Sequence, residues 1–234
     1  MTIQTLAQAV GRPYPGRGIV LGMLKDGAAL IGYFIMGRSE NSRNRVFLRE
    51  GEGIRTRAFD PARLSDPSLV IYTPMRRLGD AFIVTNGDQT DTVYDHMAAG
   101  KTFEDALRTR EYEPDAPHFT PRVSGLLVRE SGAFSYRLSI LKAGPGGCLR
   151  QFFEYPAAPG LGHFIHTYAD ADGPVLPSFE GEPKAVELPG TLGEARDAIW
   201  MNLDADNRVS LLVQSVDAAG EVAWHIVNQN GEAR

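Results

Sequence analysis

The sequence predicts an α+β protein built on antiparallel sheets. Three observations carry this. Strand-like apolar runs follow one another across turn signals instead of alternating with helices. Helical segments gather in two places, near residues 90–110 and again after residue 191. No linker-like stretch interrupts the middle, so a single domain is expected over residues 1–234.

Gly18–Met23 and Ala28–Met36 read as a hairpin around Lys25-Asp26-Gly27, because Asp-Gly between apolar runs is a strong turn signal. Val46–Leu48, Arg55–Phe59, Leu69–Thr73 and Ala81–Thr85 are further short strands. Thr90–Ala99 is an amphipathic helix stopped by Gly100. Thr102-Phe103-Glu104-Asp105 is a variant capping box that starts a second helix, running to Arg110. Strands are expected near Arg122–Arg129, Phe134–Leu141, Leu149–Tyr155 and Gly162–His166. A loop rich in Pro, Gly and acid covers Asp170 to Pro189. Thr191-Leu192-Gly193-Glu194 caps a third helix through Trp200, and strands Val209–Ser215 and Val222–Asn228 flank the turn at Asp217–Gly220.

Hydrophobic residues make up 43% and charged residues 23%, the balance of a globular protein with a substantial core. One cysteine, Cys148, excludes an intrachain disulfide and a thiolate metal cluster, so a reducing cytoplasm is the simplest compartment. No run approaches the roughly 20 apolar residues of a membrane span, and the N-terminus lacks the pattern of a secretory signal. The net charge of −5 argues against nucleic acid as a partner. Charge is unevenly spread: residues 1–117 hold 15 basic and 15 acidic side chains, residues 118–234 hold 9 and 14. Arginines crowd into the first half, which suits a small anion better than a polyanion.

Familiar catalytic signatures are missing: no GxSxG elbow, no phosphate-binding GxxxxGK[ST] loop, no HExxH zinc site. His163 and His166 would face opposite sides of a strand and read as structural, and no metal or cofactor is expected. Four stretches carry potential chemistry. Tyr14-Pro15-Gly16-Arg17 precedes the first strand. Gly37-Arg38-Ser39 through Ser42-Arg43-Asn44-Arg45 offers forked guanidinium donors with neutral Ser and Asn between them. Asn86-Gly87-Asp88-Gln89-Thr90-Asp91 joins a strand to a helix and could present free N–H groups to an anion. Glu111 to Arg122 is an acidic segment stiffened by three prolines, able to fix a carboxylate for acid–base work. Each also reads plainly as a solvated loop, a capped turn or a rigid connector.

In their order, Tyr14-Pro15-Gly16-Arg17, Arg38-Ser39 to Asn44-Arg45, Asn86 to Asp91 and Thr120-Pro121-Arg122 make the chain resemble the archaeal-type inosine monophosphate (IMP) cyclohydrolases and their bacterial relatives. Coverage is clearest from Tyr14 to Leu127. The resemblance implies a four-layer α/β/β/α sandwich similar to the N-terminal-nucleophile hydrolases, without their autocatalytic chemistry. It also implies a purine nucleotide monophosphate as substrate. The implied reaction closes 5-formamidoimidazole-4-carboxamide ribonucleotide to IMP with loss of water. Substrate nitrogen and substrate formyl group react with each other, so no enzyme nucleophile is required. On this reading Tyr72, Glu113 and Arg38 are catalytic, with Asp115 the alternate carboxylate. Arg17, Ser39, Arg43, Asn44, Asn86, Gly87, Thr90, Thr120 and Arg122 bind substrate. A nucleotide-binding relative without this activity and a structural interaction module are the rival readings. Whether the chain is a monomer or a homo-oligomer stays open.

Overall fold

The computed structural model describes residues 3–171 and 173–231, so Met1 and Thr2 of the N-terminal segment and Asp172 of the acidic loop lie outside the described residues. It is a mixed α+β fold with two antiparallel-rich sheets and few helices. The chain runs β1 (Gln4–Thr5), α1 (Leu6–Val10), β2 (Arg17–Met23), β3 (Ala29–Met36), α2 (Glu40–Arg43), β4 (Arg45–Glu50), β5 (Gly53–Ala58), β6 (Met75–Leu78), β7 (Ala81–Thr85), α3 (Gln89–Ala98) and α4 (Phe103–Arg108). It continues through β8 (Arg122–Glu130), β9 (Ala133–Gly144), β10 (Gly147–Pro156), β11 (Leu161–His166), β12 (Lys184–Glu187), α5 (Leu192–Trp200), β13 (Arg208–Val216) and β14 (Val222–Asn228). One seven-stranded sheet has the order β1-β12-β11-β2-β3-β13-β14, the other β10-β9-β8-β7-β6-β5-β4. Only the short β1–β12 pair is parallel among the named pairings.

Strand β3 shows why the sheets stack. All eight of its residues are buried. Successive side chains point to opposite faces. Ile31, Tyr33 and Ile35 join Ile19, Leu21, Phe82, Val84, Val123 and Leu138 between the two sheets. Leu30, Phe34 and Met36 pack on the other face against Leu6 and Val10 of α1 and Ile199 of α5. The second sheet buries its outer face against α3 and α4 through Ile83, Leu126, Val93, Phe103 and Leu107. Each such side chain contributes about 1.5–3 kcal/mol by leaving water, so a strand covered on both faces must be apolar throughout.

The expected hairpin at Asp26-Gly27 forms, with Gly27 at φ +92° and the Asp26 carboxylate accepting from Ala28 N–H at 3.0 Å. The capping boxes at Thr102 and Thr191 form as well. Several elements depart from expectation. Leu69–Thr73 is a turn, not a strand: Val70 and Ile71 N–H both donate to Pro67 O, and the β-branched run is bent at that proline. Met75–Leu78 is a strand hidden by its charges, because Arg76 and Arg77 lie over the rings of Tyr94 and Phe82 at 3.4 and 5.0 Å. Lys184–Glu187 adds β12 inside the expected acidic loop, Glu40–Arg43 makes one helical turn inside the arginine segment, and β1 and α1 begin the described chain.

Candidate functional site

A cleft of about 250 Å³ opens at one end of the sandwich, where β2, β4 and β8 begin and β3 and β11 end. Gly16 shapes its floor. At φ +79° it lets the chain pass so close to Thr167 and Tyr168 that an added Cβ would lie 2.3 Å from the Thr167 hydroxyl oxygen. That hydroxyl donates to Pro15 O at 3.0 Å and accepts from Arg17 N–H at 3.1 Å. The arrangement fixes Arg17 at the start of β2. Its Nη2 donates to Glu113 Oε2 at 3.1 Å, and the two side chains are only 11% and 3% exposed.

Glu113 is held by its backbone, whose N–H donates to Thr120 O at 2.9 Å. Its Oε1 is buried without a hydrogen-bond partner. Burial pushes the carboxyl pKa up, and the nearby Arg17 and Arg122 charges only partly offset this. Two residues on, the Asp115 carboxylate accepts from Thr120 twice: from its N–H at 2.7 Å and from its hydroxyl in a short contact. The Thr120 hydroxyl also meets Tyr168 OH at 2.8 Å. Burial raises the Tyr168 phenol, and Arg17 pulls it back.

The cation side of the cleft comes from the arginine segment. Ser39 caps α2 by accepting from Ser42 N–H, which turns the chain so that Arg38 and Arg45 both reach the cleft. Arg38 is exposed, sits 5.0 Å over the Tyr14 ring, and donates to the carbonyls of Gly173 and Pro174. Arg45 is 2% exposed. Its Nε donates to Ser42 O at 2.7 Å, and its Nη1 is buried without a partner. Tyr14 and Tyr168 rings stack at 6.0 Å beside them. Three arginines face two carboxylates here, so the cleft favours an anion.

Of the residues expected at the site, Arg17, Arg38, Ser39, Glu113, Thr120 and the alternate Asp115 converge. Others do not reach the cleft wall. Tyr72 is 7% exposed and shares a 2.7 Å hydrogen bond with Tyr33 OH between the sheets. Arg43 turns outward, donating to Gly37 O and Asn207. Asn44 is buried against the backbone of Asp60. Asn86 is fully buried: its amide donates to Pro121 O and its carbonyl accepts from Gln89 and Val123 N–H. Gly87 makes room for Arg122 and Gln89, since an added Cβ would lie 2.7 Å from each. Thr90 bonds Thr85 rather than capping α3, and Arg122 is engaged by Asp88 and Gln89. This turn is a buried hydrogen-bond network that supports the loop carrying Thr120. Tyr14, Arg45, His118 and Tyr168 are wall residues that were not expected. Tyr14, Arg45 and His118 left a trace as members of the segments singled out in sequence, and Tyr168 left none.

Fold and site together define an α+β protein with a cationic, carboxylate-containing cleft at the end of a two-sheet sandwich. The family described as IMP cyclohydrolase-like protein matches residues 14–220, and the chain belongs to that family. It is 29% identical over 184 residues to an IMP cyclohydrolase of Methanopyrus kandleri, a match covering 71% of this chain and 89% of that one. An IMP cyclohydrolase of Methanococcus maripaludis strain C7 is 30% identical over 130 residues, covering 53% of this chain and 62% of its own. One of Methanothrix thermoacetophila is 30% identical over 122 residues, 50% of this chain and 59% of its own.

Proposed function

We propose that the chain is an IMP cyclohydrolase of purine biosynthesis, closing 5-formamidoimidazole-4-carboxamide ribonucleotide to IMP with loss of water. The observation that carries this reading is the buried Arg17–Glu113 pair set in one cleft with Arg38 and Arg45, in a chain matched by this family over residues 14–220. The 5′-phosphate is the handle. Arg45, with an unpartnered Nη1, and Arg38, whose present partners are neutral carbonyls, grip it with Ser39. Holding both reacting groups of the substrate together supplies a large part of the rate, since effective molarities for oriented groups reach roughly 10⁵ M or more.

Proton transfer supplies the rest. Glu113, with its pKa raised by burial, is suited to hold a proton and give it to the formyl oxygen. Arg17 keeps that carboxyl in place. The residues form one domain in a four-layer α/β/β/α arrangement similar to the N-terminal-nucleophile hydrolases, acting in the cytoplasm on a free nucleotide. No helix among the described residues is long and apolar enough to cross a membrane. An ultraviolet assay of ring closure on the formylated substrate tests the activity, and thermal shift with IMP tests binding separately. Binding without turnover would favour a non-catalytic nucleotide-binding relative. Neither binding nor turnover would reduce the cleft to a structural feature.

A further inference from the structure

The geometry points to Tyr168 as a catalytic residue that takes the carboxamide proton and relays it through Thr120 to Asp115, an assignment that rests on the ring-closure reading above. Counting hydrogens fixes the direction of the chain. Thr120 has one hydroxyl proton, and it is directed to Asp115 Oδ2. At the 2.8 Å contact with Tyr168, the Thr120 oxygen must therefore accept and the phenol must donate. Asp115 Oδ1 is occupied by Thr120 N–H, which locks the carboxylate in register. With its proton turned toward Thr120, the Tyr168 oxygen presents lone pairs to the cleft that it lines.

No other phenol near the cleft has this connection among the described residues. Tyr72 is spent on Tyr33, and Tyr14 stacks on Tyr168 without a hydrogen bond to a carboxylate. Charged groups around Tyr168 are Arg17, Glu113 and Asp115, with His118 on the cleft wall.

The relay balances. The carboxamide N–H proton passes to the Tyr168 oxygen as the nitrogen bonds to the formyl carbon. The phenol proton moves to Thr120, and the Thr120 proton moves to Asp115. The carbonyl electron pair shifts to the formyl oxygen, which takes the proton of Glu113 and gives a hydroxyl. In the second step the formamido N–H proton returns to Glu113. The Asp115 proton runs back along the chain to the hydroxyl, and the carbon–oxygen bond breaks to release water. No external oxidant, metal or base is needed.

The test compares single variants by ring-closure kinetics, IMP affinity and melting temperature. Tyr168→Phe and Asp115→Asn should each lower kcat by roughly 100-fold or more, within the range for a general base. IMP affinity and melting temperature should hold to within small changes. Thr120→Val should resemble them and Thr120→Ser should recover most of the rate, since only the serine restores the bridging hydroxyl. Wild-type turnover with undiminished kcat in Tyr168→Phe would overturn the relay while leaving the function standing, as would a loss confined to Tyr72→Phe. A wild-type chain that binds IMP but never closes the ring would overturn both.

Discussion

Arg45 makes the sharpest prediction, because stability and binding should respond to its loss in opposite ways. The guanidinium is 2% exposed, with one bond to Ser42 O and an unpartnered buried Nη1. In the free protein it is a buried cation with no counter-ion among the described residues, and removing such a charge recovers a desolvation cost of several kcal/mol. Arg45→Met keeps the apolar stem and gives up one hydrogen bond of about 1 kcal/mol. The melting temperature of the ligand-free variant should therefore hold or rise. With IMP the sign reverses. A charge-assisted hydrogen bond to phosphate is worth about 1.5–3 kcal/mol, so the dissociation constant should increase roughly 10- to 150-fold at about 1.4 kcal/mol per decade. At an IMP concentration 100 times the wild-type constant, wild type gains about 2.7 kcal/mol. A variant weakened about 30-fold gains only about 0.9 kcal/mol by the same relation. For a chain of this size that shrinks the thermal shift from roughly 5–10 °C to roughly 2–4 °C. Differential scanning fluorimetry with and without IMP, backed by calorimetric titration, reads both quantities. A ligand-free variant that melts much lower and binds IMP normally would refute the reasoning, making Arg45 a structural brace.

Asn86→Ala should destabilise the fold by about 3 kcal/mol in urea unfolding, because three buried hydrogen-bond partners lose their mate; activity per folded molecule should persist. The Arg17–Glu113 pair should tell an isostere from a deletion: with the carboxyl holding a proton, Glu113→Gln keeps a neutral acceptor for the guanidinium and should cost about 1 kcal/mol or less, whereas Glu113→Ala leaves the buried cation without one and should cost about 3–5 kcal/mol. Equal losses by denaturant titration would count against it. His166 is fully buried, and burial, with Lys184 and Arg12 nearby, pushes its pKa from 6.5 down to about 3. The folded chain thus binds fewer protons than the unfolded one, so this contribution to stability is present above pH 6.5. It falls by about 1.4 kcal/mol per pH unit as pH drops toward 3, and His166→Gln should flatten that slope in unfolding curves taken between pH 6 and 4.

Local signals found the scaffold well. Asp26-Gly27, the boxes at Thr102 and Thr191, and the unbroken apolar run of β3 each report a short-range preference that the tertiary structure keeps. Met75–Leu78 escaped because its two arginines lay their guanidinium groups over aromatic rings supplied by other elements. The site was legible where one segment brings its own chemistry, as at Arg38-Ser39 and Glu113 to Thr120. It was illegible where a role depends on a partner far along the chain. Asn86 and Arg122 look like ligand donors in sequence and are consumed by each other's neighbourhood once folded. Tyr168 has nothing around it in sequence to mark it, since both its stacking partner and its hydrogen-bond partner come from elsewhere.

The seam at Gly16 has a kinetic consequence. Arg17 N–H meets the Thr167 hydroxyl across 150 positions of chain, Pro15 meets it across 152, and the Arg17–Glu113 pair spans 96. Contacts of such high sequence separation are entropically expensive to close and tend to consolidate late in folding. The cleft should then be among the last features to appear during refolding, after both sheets have formed. A fragment ending near Leu127 would retain the arginine segment and Glu113 but not the wall that orients them. Nucleotide binding becomes a reporter of complete folding, and any ligand that fits should slow unfolding of the whole chain, not just quieten a local loop.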